Sequence, residues 1–215
     1  MGGHNAVEAT LKDPRWGTQG FIKSVDGTRL HYVEKGDRNN PMILFVHGFP
    51  EFWYQWHQQM EDLSDRYHVV AYDMRGYNDS DKPEGVENYS TEKLDEDVLQ
   101  IIKTFSDGRK VYVVAHDWGG SIAGVLAREH PEYVEKLIMA NTAYAPAYIG
   151  AMVSHPQQIL HSLYAFFFIV DHVAEAVFAF KDSLVLEYIY GPSMSAGELE
   201  LYKHGKTSAT NRIEN

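Results

Sequence analysis

The sequence predicts an α/β fold, in which a mostly parallel sheet is built from strands that alternate with helices. Short, wholly apolar runs recur before residue 141, and each has the length of a strand that is buried on both faces. Segments with apolar residues at helical spacing lie between these runs. Buried strands that alternate with helices are typical of parallel sheets, because the helix carries the chain back to the start of the next strand.

Six strands are expected in order along the chain. The first two form a hairpin, since Asp26-Gly27 suits a tight turn with positive φ. The next three are apolar apart from His68, whereas Glu135 and Lys136 interrupt the last and weaken its signal. The expected strands cover residues 20–25, 28–34, 42–46, 68–72, 111–115 and 134–140.

Helices are expected between the later strands. One helix follows Ser90 or Thr91, either of which can cap it, and a second covers residues 121–129 and ends before Pro131. The face of the first helix is formed by Leu94, Val98, Ile101, Ile102 and Phe105. Residues 142–215 contain no convincing buried strand and are interpreted as a helical segment, while residues 1–14 are interpreted as a frayed tail.

Composition excludes several classes of function. The 215 residues include 19 Lys and Arg against 30 Asp and Glu, which gives a net charge of −11 and makes nucleic acid an unexpected partner. Cysteine is absent, so a disulfide scaffold, a thiol nucleophile and thiolate metal sites are excluded. No secretory signal is visible, and no apolar run is long enough for a transmembrane segment, so a cytoplasmic location is expected.

The strongest functional signal is the segment that follows the fifth expected strand. Ala115, Asp117 and Gly119 form a small-x-nucleophile-x-small turn between a buried strand and a helix, which is the pattern of a nucleophile elbow. The central residue is an aspartate, and a carboxylate at that position can attack an electrophilic carbon to form an alkyl ester. The competing interpretation is that Asp117 only caps the helix that follows.

Two further loops follow expected strands and are less specific by themselves. His47-Gly48-Phe49-Pro50 comes directly after the third strand, where a backbone N–H can point into a site. The His47 ring is expected only to hold this loop by hydrogen bonds. Asp73 and Arg75 follow the fourth strand and are interpreted as a structural ion pair.

The three segments together resemble the epoxide hydrolases of the α/β-hydrolase superfamily. They read HGFPEFWYQW, DMRGYNDSDKP and AHDWGG, and they stand in this order at these strand ends. The resemblance implies an α/β-hydrolase fold. This chain would then hold its N-terminal six strands in residues 1–143 and an incomplete helical cap in residues 144–215.

The resemblance also implies a role for each matching residue. Asp117 would be the nucleophile, and the backbone N–H groups of Phe49 and Trp118 would form the oxyanion hole. Tyr164 would hydrogen-bond the epoxide oxygen, although its position among phenylalanines also fits a core aromatic. The substrate pocket would be lined by Phe49, Pro50, Trp118 and Tyr164, with a cis bond between Phe49 and Pro50. No metal or organic cofactor is implied, and the substrate would be a small apolar epoxide.

The sequence departs from this pattern in one important respect. Turnover needs a histidine on a later strand to activate water, and none of the eleven histidines follows such a strand. The chain is therefore expected to be truncated within the cap and to lack the His-acid pair.

Two alternatives remain open. The first is a haloalkane dehalogenase, which shares the aspartate nucleophile. The second is a non-catalytic chain that binds apolar ligands, or that forms a homo-oligomer or pairs with a full-length homologue.

Overall fold

A six-stranded, mostly parallel sheet forms the centre of the protein. The computed structural model describes residues 2–155, 157–158, 184–192 and 194–210. The sheet order is β1-β2-β4-β3-β5-β6, where β1 and β2 form an antiparallel hairpin, β2 pairs antiparallel with β4, and β3 to β6 run parallel. The strands are β1 (Thr18–Lys23), β2 (Arg29–Lys35), β3 (Met42–Val46), β4 (His68–Tyr72), β5 (Val111–His116) and β6 (Val134–Ala140).

This architecture confirms the predicted α/β fold. The bounds of β3, β4 and β6 are those read from the sequence, whereas β1 and β2 are shifted by two residues and one residue at both ends and β5 is one residue longer. Gly27 has a φ of 90°, as the hairpin turn requires.

Apart from His68 and His116, the central strands are apolar because both faces of the sheet are covered. In β3, Leu44 and Val46 belong to a core cluster that includes two helices, α3 (Thr91–Phe105) and α4 (Trp118–Glu129). The residue between them, Phe45, belongs to a second cluster on the opposite face. Alternation of side chains along a strand therefore distributes one apolar run between two cores.

The helix α3 begins where the sequence indicates, whereas α4 begins at Trp118, three residues before its predicted start, and ends at Glu129 as predicted. Ser90 caps α3, because its hydroxyl accepts a hydrogen bond from the backbone N–H of Lys93, and the apolar face of α3 is buried. The remaining described helices are α1 (Gly2–Leu11), α2 (His57–Leu63), α5 (Ala145–Ser154), α6 (Leu184–Tyr190) and α7 (Ala196–Thr210).

The interpretation of residues 1–14 as a frayed tail is wrong. These residues include the helix α1, which packs against α7. Leu11 is buried in the second core cluster beside Leu201 and Tyr202, and the indole N–H of Trp16 donates to the carbonyl of Thr10 at 2.9 Å. Apolar contacts with residues near the other end of the sequence thus stabilise a helix that the local sequence does not predict.

The described helices of residues 144–215 lie outside the sheet, and α7 reaches the core. Tyr202 is buried, and its ring centroid lies 5.5 Å from that of Phe52. The division into a core of residues 1–143 and a cap of residues 144–215 stays a prediction. Among the described residues, no helix has both the length and the apolar character needed to cross a lipid bilayer.

Candidate active site

Asp117 occupies a strained turn between β5 and α4. Its φ of 49° and ψ of −123° lie in a region that side chains other than glycine seldom adopt. Its side chain makes no capping hydrogen bond to α4, so within the described part of the chain helix capping does not account for this residue. The turn instead lifts the carboxylate to the carboxyl end of the sheet, beside the loop that follows β3.

Glycines allow the loop after β3 to approach this turn closely. A side chain at Gly48 would place its Cβ only 2.5 Å from the Cβ of Asp117. A side chain at Gly119 would overlap the backbone carbonyls of Val46 and His47. The absence of side chains at both positions therefore lets two backbones and a carboxylate share one small space.

One expected hydrogen-bond donor points at the carboxylate. The backbone N–H of Phe49 donates to Asp117 Oδ1 at 3.0 Å. Trp118 is the first residue of α4, so its backbone N–H has no acceptor inside the helix. The Phe49-Pro50 bond is cis, as the resemblance implies.

Sequence reasoning missed a buried acid beside the nucleophile position. Glu51 is only 6% exposed, and its Oε2 lies 2.9 Å from His116 Nδ1 and 3.4 Å from the backbone N of Gly48. Burial raises the pKa of the Glu51 carboxyl, His116 opposes this shift, and the nearby charge of Asp117 adds to it. The signal was available, because Glu51 lies inside the quoted HGFPEFW segment and His116 immediately precedes Asp117.

The ring nitrogen Nδ1 of His116 has two possible hydrogen-bond partners. Its Nδ1 lies 2.9 Å from Glu51 Oε2 and also 2.9 Å from Gln55 Nε2. A single ring nitrogen carries either a proton or a lone pair, so Nδ1 donates to the carboxylate or accepts from the amide. An ionised Glu51 favours the first arrangement.

His47 holds the loop, as predicted. It is fully buried, its Nδ1 lies 2.9 Å from the carbonyl of Gly48, and its Nε2 accepts from the backbone N–H of Met74 at 3.0 Å. Burial lowers the pKa of His47, so the ring stays neutral and can serve as both donor and acceptor.

The predicted ion pair between Asp73 and Arg75 is wrong, because each side chain has other partners. Asp73 Oδ2 lies 2.7 Å from His31 Nδ1, and Asp73 Oδ1 accepts from the backbone N–H of Trp53 at 2.9 Å. Arg75 donates through two nitrogens to Asp97 at 2.6 and 2.7 Å. Residues two apart point to the same side in an extended strand. Asp73 and Arg75 lie in a loop, where this rule does not apply, so their side chains reach different partners.

The remaining predicted pocket residues differ in what the structure says of them. Trp118, the residue after Asp117, is 60% exposed. Pro50 is partly buried in the same loop as Phe49. Tyr164 lies outside the described residues. Over the described ranges, no group of histidine and acidic side chains is arranged to hold a metal ion.

The site has the arrangement that is typical of α/β hydrolases. A strained turn between a strand and a helix presents a carboxylate, and a neighbouring loop directs a backbone N–H at it. Comparison with known proteins agrees. Residues 41–186 match the family described as alpha/beta hydrolase fold, so the chain belongs to that family. Within it, the chain falls among the epoxide hydrolases.

The relatives that support this placement cover most of this chain. It is 38% identical over 183 residues to human epoxide hydrolase 4, which is 85% of this chain and 50% of that protein. It is 37% identical over 196 residues to epoxide hydrolase 3 of Xenopus tropicalis, which is 91% of this chain and 52% of that protein. The chain therefore spans about half the length of the curated relatives that it matches.

Solved structures give the same result. The crystal structure of Bacillus megaterium epoxide hydrolase in complex with an inhibitor superimposes with a TM-score of 0.81. The two sequences are 31% identical, and the match covers 88% of this chain and 67% of the other.

Proposed function

We propose that this chain carries the ring-opening half of an epoxide hydrolase, with Asp117 as the nucleophile. The observation that carries the proposal is the Asp117 carboxylate, held in a strained turn with the N–H of Phe49 donating to it. The relatives named epoxide hydrolases favour this reaction over that of a haloalkane dehalogenase.

The proposed chemistry is a displacement at carbon. Asp117 attacks one epoxide carbon, the ring C–O bond breaks, and an alkyl ester with a neighbouring alkoxide forms. The alkoxide takes a proton from an acid, and Tyr164 is the residue that the sequence motif assigns to this role. Water that attacks the ester carbonyl then yields a vicinal diol, and the N–H groups of Phe49 and Trp118 stabilise the oxyanion in that step.

The two described histidines beside the site, His47 and His116, do not have the position of a general base for the ester. Both ring nitrogens of His47 are used in backbone hydrogen bonds. His116 Nδ1 faces Glu51 and Gln55. We therefore propose that the 215 residues alone form the ester but do not release it at an appreciable rate.

The substrate that we propose is a small apolar epoxide, since the two residues that supply backbone N–H groups beside the carboxylate, Phe49 and Trp118, carry aromatic side chains. A homo-oligomer, a full-length homologue as partner and a cytoplasmic location remain predictions.

Mass spectrometry of the chain treated with styrene oxide tests the proposal. We expect the intact protein to gain the mass of one styrene oxide, and the peptide map to place the adduct on Asp117. Asp117→Asn is the matched control, because it preserves size and removes the nucleophilic charge, and it should remain unmodified.

Two outcomes would contradict the proposal in different ways. Steady diol formation by the purified chain would show that a base is present. It would overturn only the proposal that the ester is not released. An adduct on another carboxylate, or none with the fold intact, would overturn the role of Asp117 and favour a non-catalytic, ligand-binding chain.

A further inference from the structure

We propose that Tyr190, the last residue of α6, is a positioning residue for Glu51, the carboxylate beside the nucleophile. The Tyr190 hydroxyl donates to Glu51 Oε1 at 3.4 Å. Glu51 belongs to the loop after β3, and Tyr190 stands 139 residues further along the chain. The bond therefore links the described helices beyond residue 144 directly to the candidate site.

The packing of α6 turns the Tyr190 side chain inward, towards the candidate site. Leu186 is fully buried and lies one turn before Tyr190, so both residues face inward, whereas Tyr188 is 85% exposed on the opposite side of α6. In the middle of α6, Glu187 Oε1 lies 2.5 Å from Lys203 Nζ, which ties α6 to α7.

A second contact reaches the same loop through aromatic rings. The ring centroids of Tyr190 and Tyr202 lie 5.4 Å apart, and those of Tyr202 and Phe52 lie 5.5 Å apart. Phe52 is the residue after Glu51. The Tyr190 side chain therefore meets this loop directly through its hydroxyl at Glu51, and its ring packs on Tyr202, which in turn packs on Phe52.

Tyr190 keeps its proton at ordinary pH, so its hydroxyl is available as the donor to the Glu51 carboxylate. Burial raises the pKa of its phenol strongly, and the charge of Glu51 raises it further. A neutral phenol that donates to a carboxylate stabilises the ionised form of that carboxylate. The contact therefore opposes the effect of burial on Glu51.

Several other titratable groups act on Glu51, and they define what the test must separate. His116 at the end of β5 favours the ionised form, while Asp117 in the elbow turn disfavours it. The phenols facing Glu51 are Tyr190 of α6, Tyr202 of α7 and Tyr77 of the loop after β4. Among these described phenols, the Tyr190 hydroxyl is the one with a hydrogen bond to Glu51.

The consequence for the site follows from the protonation of Glu51. When Glu51 is ionised it accepts from His116 Nδ1 and from the N–H of Gly48, which fixes the loop that presents Phe49 to Asp117. Loss of the Tyr190 donor lets Glu51 become neutral at higher pH and releases that arrangement. An O–H···O distance of 3.4 Å is long, so we expect a modest effect.

The test is a carboxyl titration followed by nuclear magnetic resonance. The chain is labelled with carboxyl-¹³C glutamate, and the Glu51 signal is assigned by its loss in Glu51→Gln. In Tyr190→Phe, which keeps the ring and removes the hydroxyl, we expect the Glu51 midpoint to rise by about half a pH unit.

Tyr188→Phe is the matched control, since it removes an exposed hydroxyl from the same helix and should leave the midpoint unchanged. An unchanged midpoint in Tyr190→Phe overturns the proposal. If Tyr190→Phe is too unstable to titrate, 3-fluorotyrosine placed at position 190 of the otherwise unchanged chain, which is a stronger donor, must lower the Glu51 midpoint; an equal midpoint would also overturn the proposal.

The relevance to catalysis rests on the proposed function, but the titration does not. It reports on Glu51 whether or not Asp117 reacts with an epoxide, so a failed alkylation and an unchanged midpoint are separate results. Where both experiments succeed, the rate of adduct formation in Tyr190→Phe should fall about twofold at a pH near the wild-type midpoint and recover at higher pH.

Discussion

The loop after β3 (residues 47–56) and the loop after β4 (residues 73–81) lie side by side, but they use their polar groups differently. In the first, the N–H of Phe49 and the carboxylate of Glu51 are directed at the candidate site. In the second, the buried side chains of Asp73 and Arg75 have fixed protein partners. The comparison shows that one loop presents chemistry while its neighbour supplies rigidity.

The second loop holds the first in place at two points. Asp73 Oδ1 accepts from the backbone N–H of Trp53, and the N–H of Met74 donates to the ring of His47. Each bond joins a side chain of one loop to the backbone of the other. The geometry around Asp117 therefore depends on residues that make no contact with it.

The largest expected effect comes from breaking the anchor of the second loop. Arg75 is fully buried and donates to Asp97, to Asp26 and to the carbonyl of Asn88. Asp97→Asn removes the bidentate partner, and we expect the free energy of unfolding to fall by about 3–5 kcal/mol because a buried cation loses its main counter-ion. Urea denaturation measures the loss.

Glu96→Gln is the matched control for this prediction, since Glu96 neighbours Asp97 on α3 but is exposed. It should change the unfolding free energy by less than about 0.5 kcal/mol. At urea-free conditions, folded Asp97→Asn should still form the Asp117 adduct. A large effect of Glu96→Gln, or a neutral Asp97→Asn, would remove the distinction between the two loops.

A smaller effect is expected where the first loop meets the elbow. In Gly119→Ala, the new Cβ would overlap the carbonyls of Val46 and His47, so the loop must move away from Asp117. We expect a loss of about 2–3 kcal/mol in unfolding free energy, together with slower alkylation. Thermal unfolding and the styrene oxide reaction measure the two consequences.

Gly150→Ala provides the contrast, because Gly150 is also helical but has open space around it. Alanine there should stabilise α5 by up to about 1 kcal/mol through its higher helix propensity. Equal behaviour of the two variants would mean that close backbone approach is not what requires glycine at position 119.

The smallest effect concerns pH and the second loop. Burial acts to raise the pKa of Asp73, but hydrogen bonds and charge from His31 and the N–H of Trp53 outweigh it, so the pKa is lowered. A lowered carboxyl pKa contributes stability that is present above the unfolded value of about 3.9 and is lost as the pH falls through the folded value.

Comparison of the wild type with Asp73→Asn measures this contribution. We expect Asp73→Asn to be less stable by about 1–2 kcal/mol at neutral pH, and the difference to shrink as the pH falls below about 4. A difference that stays constant with pH would show that Asp73 acts through shape alone.

The sequence by itself determined the sheet, the elbow and the family. Apolar runs such as 42–46 and 68–72 are local patterns, and they give strand positions because both faces of the sheet are covered. The small residues on either side of Asp117 predicted the turn, because larger residues there would overlap the neighbouring backbone.

Only the tertiary structure decided the partners of the polar groups. The bonds from Asp73 to Trp53, from Arg75 to Asp97 and from Tyr190 to Glu51 join residues far apart in the chain. Local pattern cannot choose among many acids and bases that have the right chemistry, and the same reason explains why α1 was not expected. Such contacts depend on where the folded backbone places each side chain, and burial then makes each choice of partner strongly favourable.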